Sequence, residues 1–389
     1  MLHRIRTVPR QIWLIAIGHG VTDLAPGALY VALPFFKAKL GLSYAEVSAI
    51  VLMQNITASL TQPVLGYYSD RKPRAWLMPA GCMLCGFGLL ASLLVENYAL
   101  VLLFTALSGL GNAAFHPEGA KLINRLSAGS VGKGASLFSV WGSIGVAVGT
   151  VFLAFLLEKG AGVLLFLLAI PFVLSGIALM YASSSMPKVS GSPKSGLRGL
   201  KASMNWSILS LLGMVASRST VSAGISAFVP LYYVSYLNGS SLYASSLLTV
   251  YMAAGAAGTI LGGFMSDKYG SKPVMIYSVL PLAFLLYAFR FSSGVWPFVI
   301  LAVSSILLSA TFTSSLVLIQ KMMPGNVGMA SGLNLGFSVG LGTLGVLLLG
   351  KVADVYSIPV IFDVLSFLPV IAFLLTLFIQ EPNAKKALA

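Results

Sequence analysis

Of 389 residues, 57% are hydrophobic and only 9% charged, too little charge to cover a water-soluble protein of this size, where about a quarter of residues are charged. The solvent must therefore be lipid, and at about 20 mostly apolar residues per crossing helix, twelve spans and short loops use up nearly the whole chain. The net charge of +14 does not indicate a nucleic-acid partner, because the basic residues gather between apolar runs on alternate sides.

The chain opens with the basic stretch MLHRIRTVPR, and the apolar run behind it continues to about residue 36 without a small-residue cleavage pattern, so it reads as a first span and not a cleaved signal. Apolar runs between Gly, Pro and charge breaks predict spans near 11–36, 44–66, 76–95, 98–122, 136–157 and 163–182. A second set follows near 206–236, 242–265, 274–291, 296–321, 329–350 and 358–379. Between the sets, residues 183–205 have the Ser/Gly/Pro/Lys composition of a flexible linker. The predicted organisation is a bundle over 1–182, a cytoplasmic linker over 183–205 and a bundle over 206–389. With the N-terminus assigned to the cytoplasm, eighteen Lys and Arg fall inside and four outside (Lys37, Lys39, Lys159, Lys351), which predicts cytoplasmic termini at both ends.

The halves repeat one another. GYYSDRKPRAW, from Gly66, recurs as GGFMSDKYGSK, with a Gly four residues before an Asp in each (Gly66 and Asp70, Gly263 and Asp267), at an offset of 197. Pro34 and Pro230, Phe115 and Phe312, and Gly145 and Gly340 echo one another at offsets of 196, 197 and 195. The carboxylates of Asp70 and Asp267 are expected at the cytoplasmic mouth, accepting bonds from a neighbouring helix N-terminus or pairing with Arg71, Arg74 or Lys268, and so latching an inner gate. Gly142, Gly145 and Gly149 in the fifth span, and Gly332, Gly336, Gly340 and Gly345 in the eleventh, have the spacing that lets helix backbones approach closely. Cys82 and Cys85 lie in an apolar span with no second pair and no nearby His, and read as small apolar residues on one helix face.

Ionisable groups inside spans are costly and mark candidate functional sites. His19 and Asp23 lie four apart in the first span and share a face. His116 and Glu118 flank Pro117 in the fourth and point apart; Glu118 is expected to face the cavity and His116 to brace a neighbouring helix. The second half has no acid at the equivalent places and carries Arg218 instead. Arg290, near the outer end of the ninth span, is expected to snorkel to the interface. A desolvated carboxylate keeps its proton more firmly than one in water and a neighbouring cation loosens it, so this set suits a proton-coupled carrier. A static ion pair between helices is the competing reading. No metal site is expected, since neither spacing nor supporting residues point to one. GKGAS at 132–136 lacks the spacing of a phosphate-binding loop, and no nucleophile, base and orienting group form a set, so no enzyme activity or cofactor is expected.

Six plus six helices, a parallel repeat, a basic central linker and the repeated Gly-x-x-x-Asp-Arg/Lys stretch resemble the major facilitator superfamily, over essentially the whole chain. Gly-His-x-x-x-Asp in the first span, TQPVLGYYSDR and FHPE look like its fosmidomycin-resistance type of exporter. The resemblance implies an all-α integral membrane protein of two pseudo-symmetric six-helix bundles in a prokaryotic cytoplasmic membrane. It also implies a monomer that exchanges protons for a small drug, with His19, Asp23, His116 and Glu118 in the site and Arg218 facing them across a cavity. Tyr30, Ser222, Tyr232, Tyr233, Thr313 and Ser314 are expected to line that cavity. The Gly-Pro pair usual in the fifth helix of drug and proton antiporters is absent, Gly149 being followed by Thr150. An uptake symporter for an organic anion or sugar, and a lipid flippase, remain open alternatives.

Overall fold

The computed structural model describes residues 9–71, 76–127, 131–160, 162–184, 205–323 and 327–381. Arg74, most of the 183–205 linker and the basic residues of both tails other than Arg10 lie outside the described residues. Among the described residues twelve long helices follow one another: α1 (Arg10–Leu40), α2 (Tyr44–Arg71), α3 (Leu77–Leu94), α4 (Tyr98–Leu126), α5 (Val131–Glu158), α6 (Ala169–Ser184), α7 (Trp206–Pro230), α8 (Ser241–Tyr269), α9 (Ser271–Phe289), α10 (Trp296–Met322), α11 (Val327–Tyr356) and α12 (Pro359–Leu377). A 3-10 segment, Gly162–Leu168, leads into α6, and a π-helical turn, Leu231–Tyr236, leaves α7 just after Pro230, whose missing N–H interrupts the regular ladder. Eleven of these helices are long and apolar enough to cross a membrane. The helix outside that set, α2, carries Gln54, Asn55, Thr57, Ser59, Thr61 and Gln62 along its middle, which lowers its hydropathy below that of the others.

The chain divides into two compact units, Met1–Pro193 with Tyr233–Thr249, and Lys194–Tyr232 with Val250–Ala389. In the first, α1 lies along α5, and α4 along α2 and α3; in the second, α7 lies along α11, and α9 along α10 and α12. The pairing of the first and fifth helices thus recurs six helices later. The stretch 233–249 belongs to the first unit for a chemical reason: Glu158, at the end of α5, accepts hydrogen bonds from Ser240 Oγ and from the Leu242 amide (2.9 Å), and Thr150 bonds Thr249 (2.8 Å).

In lipid, apolar burial between helices gains little, so close approach of backbones matters more. An added Cβ at Gly145 would lie 1.8 Å from the Gly20 carbonyl, and one at Gly149 2.2 Å from that of Leu24, so the fifth-helix glycines are what let α5 touch α1. In the second unit Gly340 has open space around it, and it is Gly342, 2.9 Å from the Ser219 carbonyl by the same measure, that meets α7. The structural echo of Gly145 is therefore Gly342, at the offset of 197 shared by the repeated Asp pair, and not Gly340 at 195.

Candidate functional site

Two of the chain's three histidines meet a carboxylate in the first unit. Helical spacing brings His19 Nε2 to 3.1 Å from Asp23 Oδ2 on α1. From α4, His116 Nε2 comes within 3.1 Å of His19 Nε2 and 3.5 Å of Asp23 Oδ1, and Asn112 Nδ2 donates to that oxygen at 3.3 Å. The wall is aromatic: the Phe138 ring of α5 stacks on His19 at 3.8 Å between centroids and 15° between planes, with Phe115 at 5.9 Å. Gly142 of α5 makes the room, since a Cβ there would sit 2.5 Å from His19 Cε1 and 2.9 Å from Asp23 Oδ2.

The hydrogens in this notch follow from its partners. His19 Nδ1 lies 2.7 Å from the Phe138 carbonyl and His116 Nδ1 3.0 Å from the Asn112 carbonyl. A carbonyl only accepts, so each Nδ1 carries the hydrogen, and in the neutral rings both Nε2 atoms present bare lone pairs to each other and to the carboxylate. Three acceptors without a hydrogen between them repel. A cation shared among them removes the conflict.

Glu118 does not join this group. Its side chain is buried and its Oε1 lies 2.9 Å from Lys121 Nζ, one turn along the same helix, as a charge contact and not an aligned hydrogen bond. The expectation for α4 is thus reversed: His116 turns to the α1 site and Glu118 pairs within its own helix, because residues two apart on a helix face in different directions. Asn112 and Phe138 were not anticipated, and Gly142 was expected only as a glycine of close helix packing. Asn112 could have been found, standing one helical turn before His116 on the same face.

In the second unit Arg218 of α7 is 7% exposed. Its Nη2 donates to Ser219 Oγ (2.8 Å) and Ser338 Oγ (3.0 Å), its guanidinium carbon lies 5.1 Å from the centre of the Phe312 ring, and its Nε has no partner among the described residues. No carboxylate pairs with it among the described residues. Phe312 is the repeat of Phe115, so the two units set a similar aromatic shelf beside opposite chemistries. Arg290, partly exposed, pairs with Asp363 of α12.

The residues expected to line a cavity are largely occupied elsewhere. Ser314 is fully buried and bonds Ser266 (2.7 Å) between α10 and α8, and Thr313 bonds the Ser309 (3.2 Å) and Thr259 (3.3 Å) carbonyls. Tyr232 packs edge-on against Phe362 at 5.1 Å, and Tyr233 against Tyr243 at 5.1 Å. Ser222 bonds Tyr251 (3.0 Å), and Tyr30 is half-buried on α1. These serve helix packing, which satisfies hydroxyls that lipid cannot.

At the repeated loop, Gly66 and Gly263 lie inside α2 and α8, next to Pro117 and Thr313 at 3.6 and 3.8 Å from a built Cβ. Asp70 and Arg71 end α2, and their side chains lie outside the described residues. Asp267 and Lys268 are exposed, with Lys268 Nζ 5.0 Å above the Tyr269 ring. The α9 N-terminus is capped not by Asp267 but by Glu381, which accepts from the Ser271 and Lys272 amides at 3.0 and 3.1 Å.

Fold and sequence together define a transporter. The chain belongs to the major facilitator superfamily, whose family model matches residues 15–235 and 210–389. Within it the chain is 32% identical over 382 residues to the fosmidomycin resistance protein of Escherichia coli (strain K12), covering 95% of this chain and 93% of that one. It is 28% identical over 378 residues to an uncharacterized MFS-type transporter, YfnC, of Bacillus subtilis (strain 168), covering 95% and 92%. Among solved structures it resembles a point mutant of the nucleoside transporter NupG, with a TM-score of 0.79, 18% identity, and 95% and 100% of the two chains covered. It also resembles a bacterial homologue of the human lysosomal transporter Spinster, with a TM-score of 0.76, 15% identity, and 95% and 93% covered.

Proposed function

We propose that this membrane transporter is a proton-coupled exporter of small polar or anionic compounds, working by alternating access between its two six-helix repeats, 1–182 and 206–389, in the cytoplasmic membrane of a prokaryote. The observation that carries the coupling is the notch of His19, Asp23 and His116, where two imidazole nitrogens and a carboxylate make contacts of 3.1 to 3.5 Å with no hydrogen of their own to share. A proton is the simplest cation that relieves this arrangement, and losing it restores the conflict, so the notch has two states of different charge. Arg218 supports the substrate class: a buried guanidinium held, among the described residues, by two hydroxyls and an aromatic face keeps unspent capacity for an anion. Export as the direction is supported by the name of the E. coli relative, and fosmidomycin is the natural first probe. A monomer suffices for this scheme, and no organic cofactor enters it.

The test is transport into everted membrane vesicles. An acid lumen should drive accumulation of the probe, and a protonophore should abolish it. An acid lumen that empties preloaded vesicles would contradict export in favour of uptake symport, and accumulation indifferent to the protonophore would contradict proton coupling.

A further inference from the structure

The notch offers more than a place for a proton. We propose that His19, Asp23 and His116 form a binding site for a late first-row divalent metal ion of the Zn2+ type, one that competes with the proton for the same lone pairs. Two imidazole nitrogens and one carboxylate are the donors such ions select, whereas Mg2+ and Ca2+ prefer oxygen alone. The spacing fits. An ion bonded at 2.0–2.1 Å to tetrahedral ligands separates the ligand atoms by roughly 3.3 Å. The contacts here bracket that value, at 3.1 Å between the two Nε2 atoms, 3.1 Å from His19 Nε2 to Asp23 Oδ2 and 3.5 Å from His116 Nε2 to Asp23 Oδ1, and one donor atom from each of the three residues lies within 4.8 Å of the others.

The supporting contacts also match a metal site. Metal-bound histidine characteristically donates its other ring N–H to a carbonyl or carboxylate, which fixes the tautomer and aims the free lone pair. Both histidines do this here, to the Phe138 and Asn112 carbonyls at 2.7 and 3.0 Å, and Asn112 further steadies the Asp23 carboxylate at 3.3 Å. The ligand side chains are not sealed: Asp23 and His116 are 13% and 23% exposed, which leaves a way in and a fourth position for water or a ligand group. This inference stands on geometry and does not require the proton-coupled reading.

The experiment is titration of the purified, tag-free protein in detergent with Co2+ as a spectroscopic probe and Zn2+ as competitor. Expected are one saturable site per chain, the intense visible absorption of four-coordinate Co2+, and its loss when Zn2+ is added. His116→Gln and Asp23→Asn should each weaken binding by about 100-fold or more. His3→Gln, which removes the remaining histidine, and Glu96→Gln, at an exposed carboxylate, should leave it unchanged. If a ligand variant fails to fold, the wild-type spectrum decides alone. A weak six-coordinate spectrum, absence of saturation, or undiminished binding by a folded His116→Gln protein would overturn the proposal, and none of these results bears on gradient-driven transport.

Discussion

Arg218 is the clearest single-residue asymmetry in the molecule. A buried charge without a counter-charge is expensive, and charged hydrogen bonds contribute about 1.5–3 kcal/mol each. On the reading above, Arg218→Ala should weaken binding of an anionic probe by about 10- to 100-fold, with Arg218→Lys losing less, while a neutral substrate is little affected. Equilibrium binding in detergent measures this directly, and equal loss for neutral and anionic ligands would assign Arg218 to scaffolding instead. The residues of both sites were mostly legible from the sequence, because an ionisable side chain inside an apolar run stands out. The contact of His19 with Asp23 followed from a four-residue spacing on one helix. The partner from α4 did not, since which of His116 and Glu118 turns toward α1 depends on how α4 is rotated against α1, and a single sequence does not encode that rotation openly. Phe138 was hidden for a related reason: an apolar ring is an ordinary residue of a span until a neighbouring helix gives it a role, and Gly142 was legible as a close-packing glycine but not as the residue that makes room for the notch.

At the scale of elements, glycine decides which helices touch. Gly145→Ala would force its methyl into the Gly20 carbonyl and should cost about 1–3 kcal/mol, the usual range for overpacking, whereas Gly340→Ala points into open space and should be close to neutral. Thermal unfolding of the two purified variants compares them: a drop of several degrees for the first alone is expected, and equal behaviour would show that α1 and α5 do not depend on this contact. Helix positions were legible because hydropathy breaks fall at glycine, proline and charge, and all twelve predicted spans have their helix. The ends were less so. Turn chemistry there relies on distant residues, such as Glu381 reaching the start of α9 over more than a hundred positions of sequence. Hydroxyls are hard to place for the same cause: Ser314 reads as polar lining, yet it is fully buried and bonds Ser266, since in lipid a hydroxyl first satisfies a neighbouring backbone or side chain.

Over the whole molecule, the repeat is the organising fact. One packing plan, α1 on α5 and α7 on α11, is used twice, with an aromatic shelf at Phe115 and Phe312 in each. What differs is the chemistry set beside the shelf, two histidines and a carboxylate in one half and a buried guanidinium in the other. The duplication was readable as an offset of 197 between landmarks, since spacing survives where residue identity does not. The assignment of 233–249 to the first unit was not, because it rests on Glu158 meeting the start of α8 across more than eighty residues. The coupling claim is tested most directly by reconstituting Asp23→Asn and wild-type protein in proteoliposomes and measuring accumulation of the probe under an imposed pH gradient alongside gradient-free exchange. The variant is predicted to keep exchange and lose gradient-driven accumulation; accumulation at the wild-type level, with the same response to pH, would contradict it.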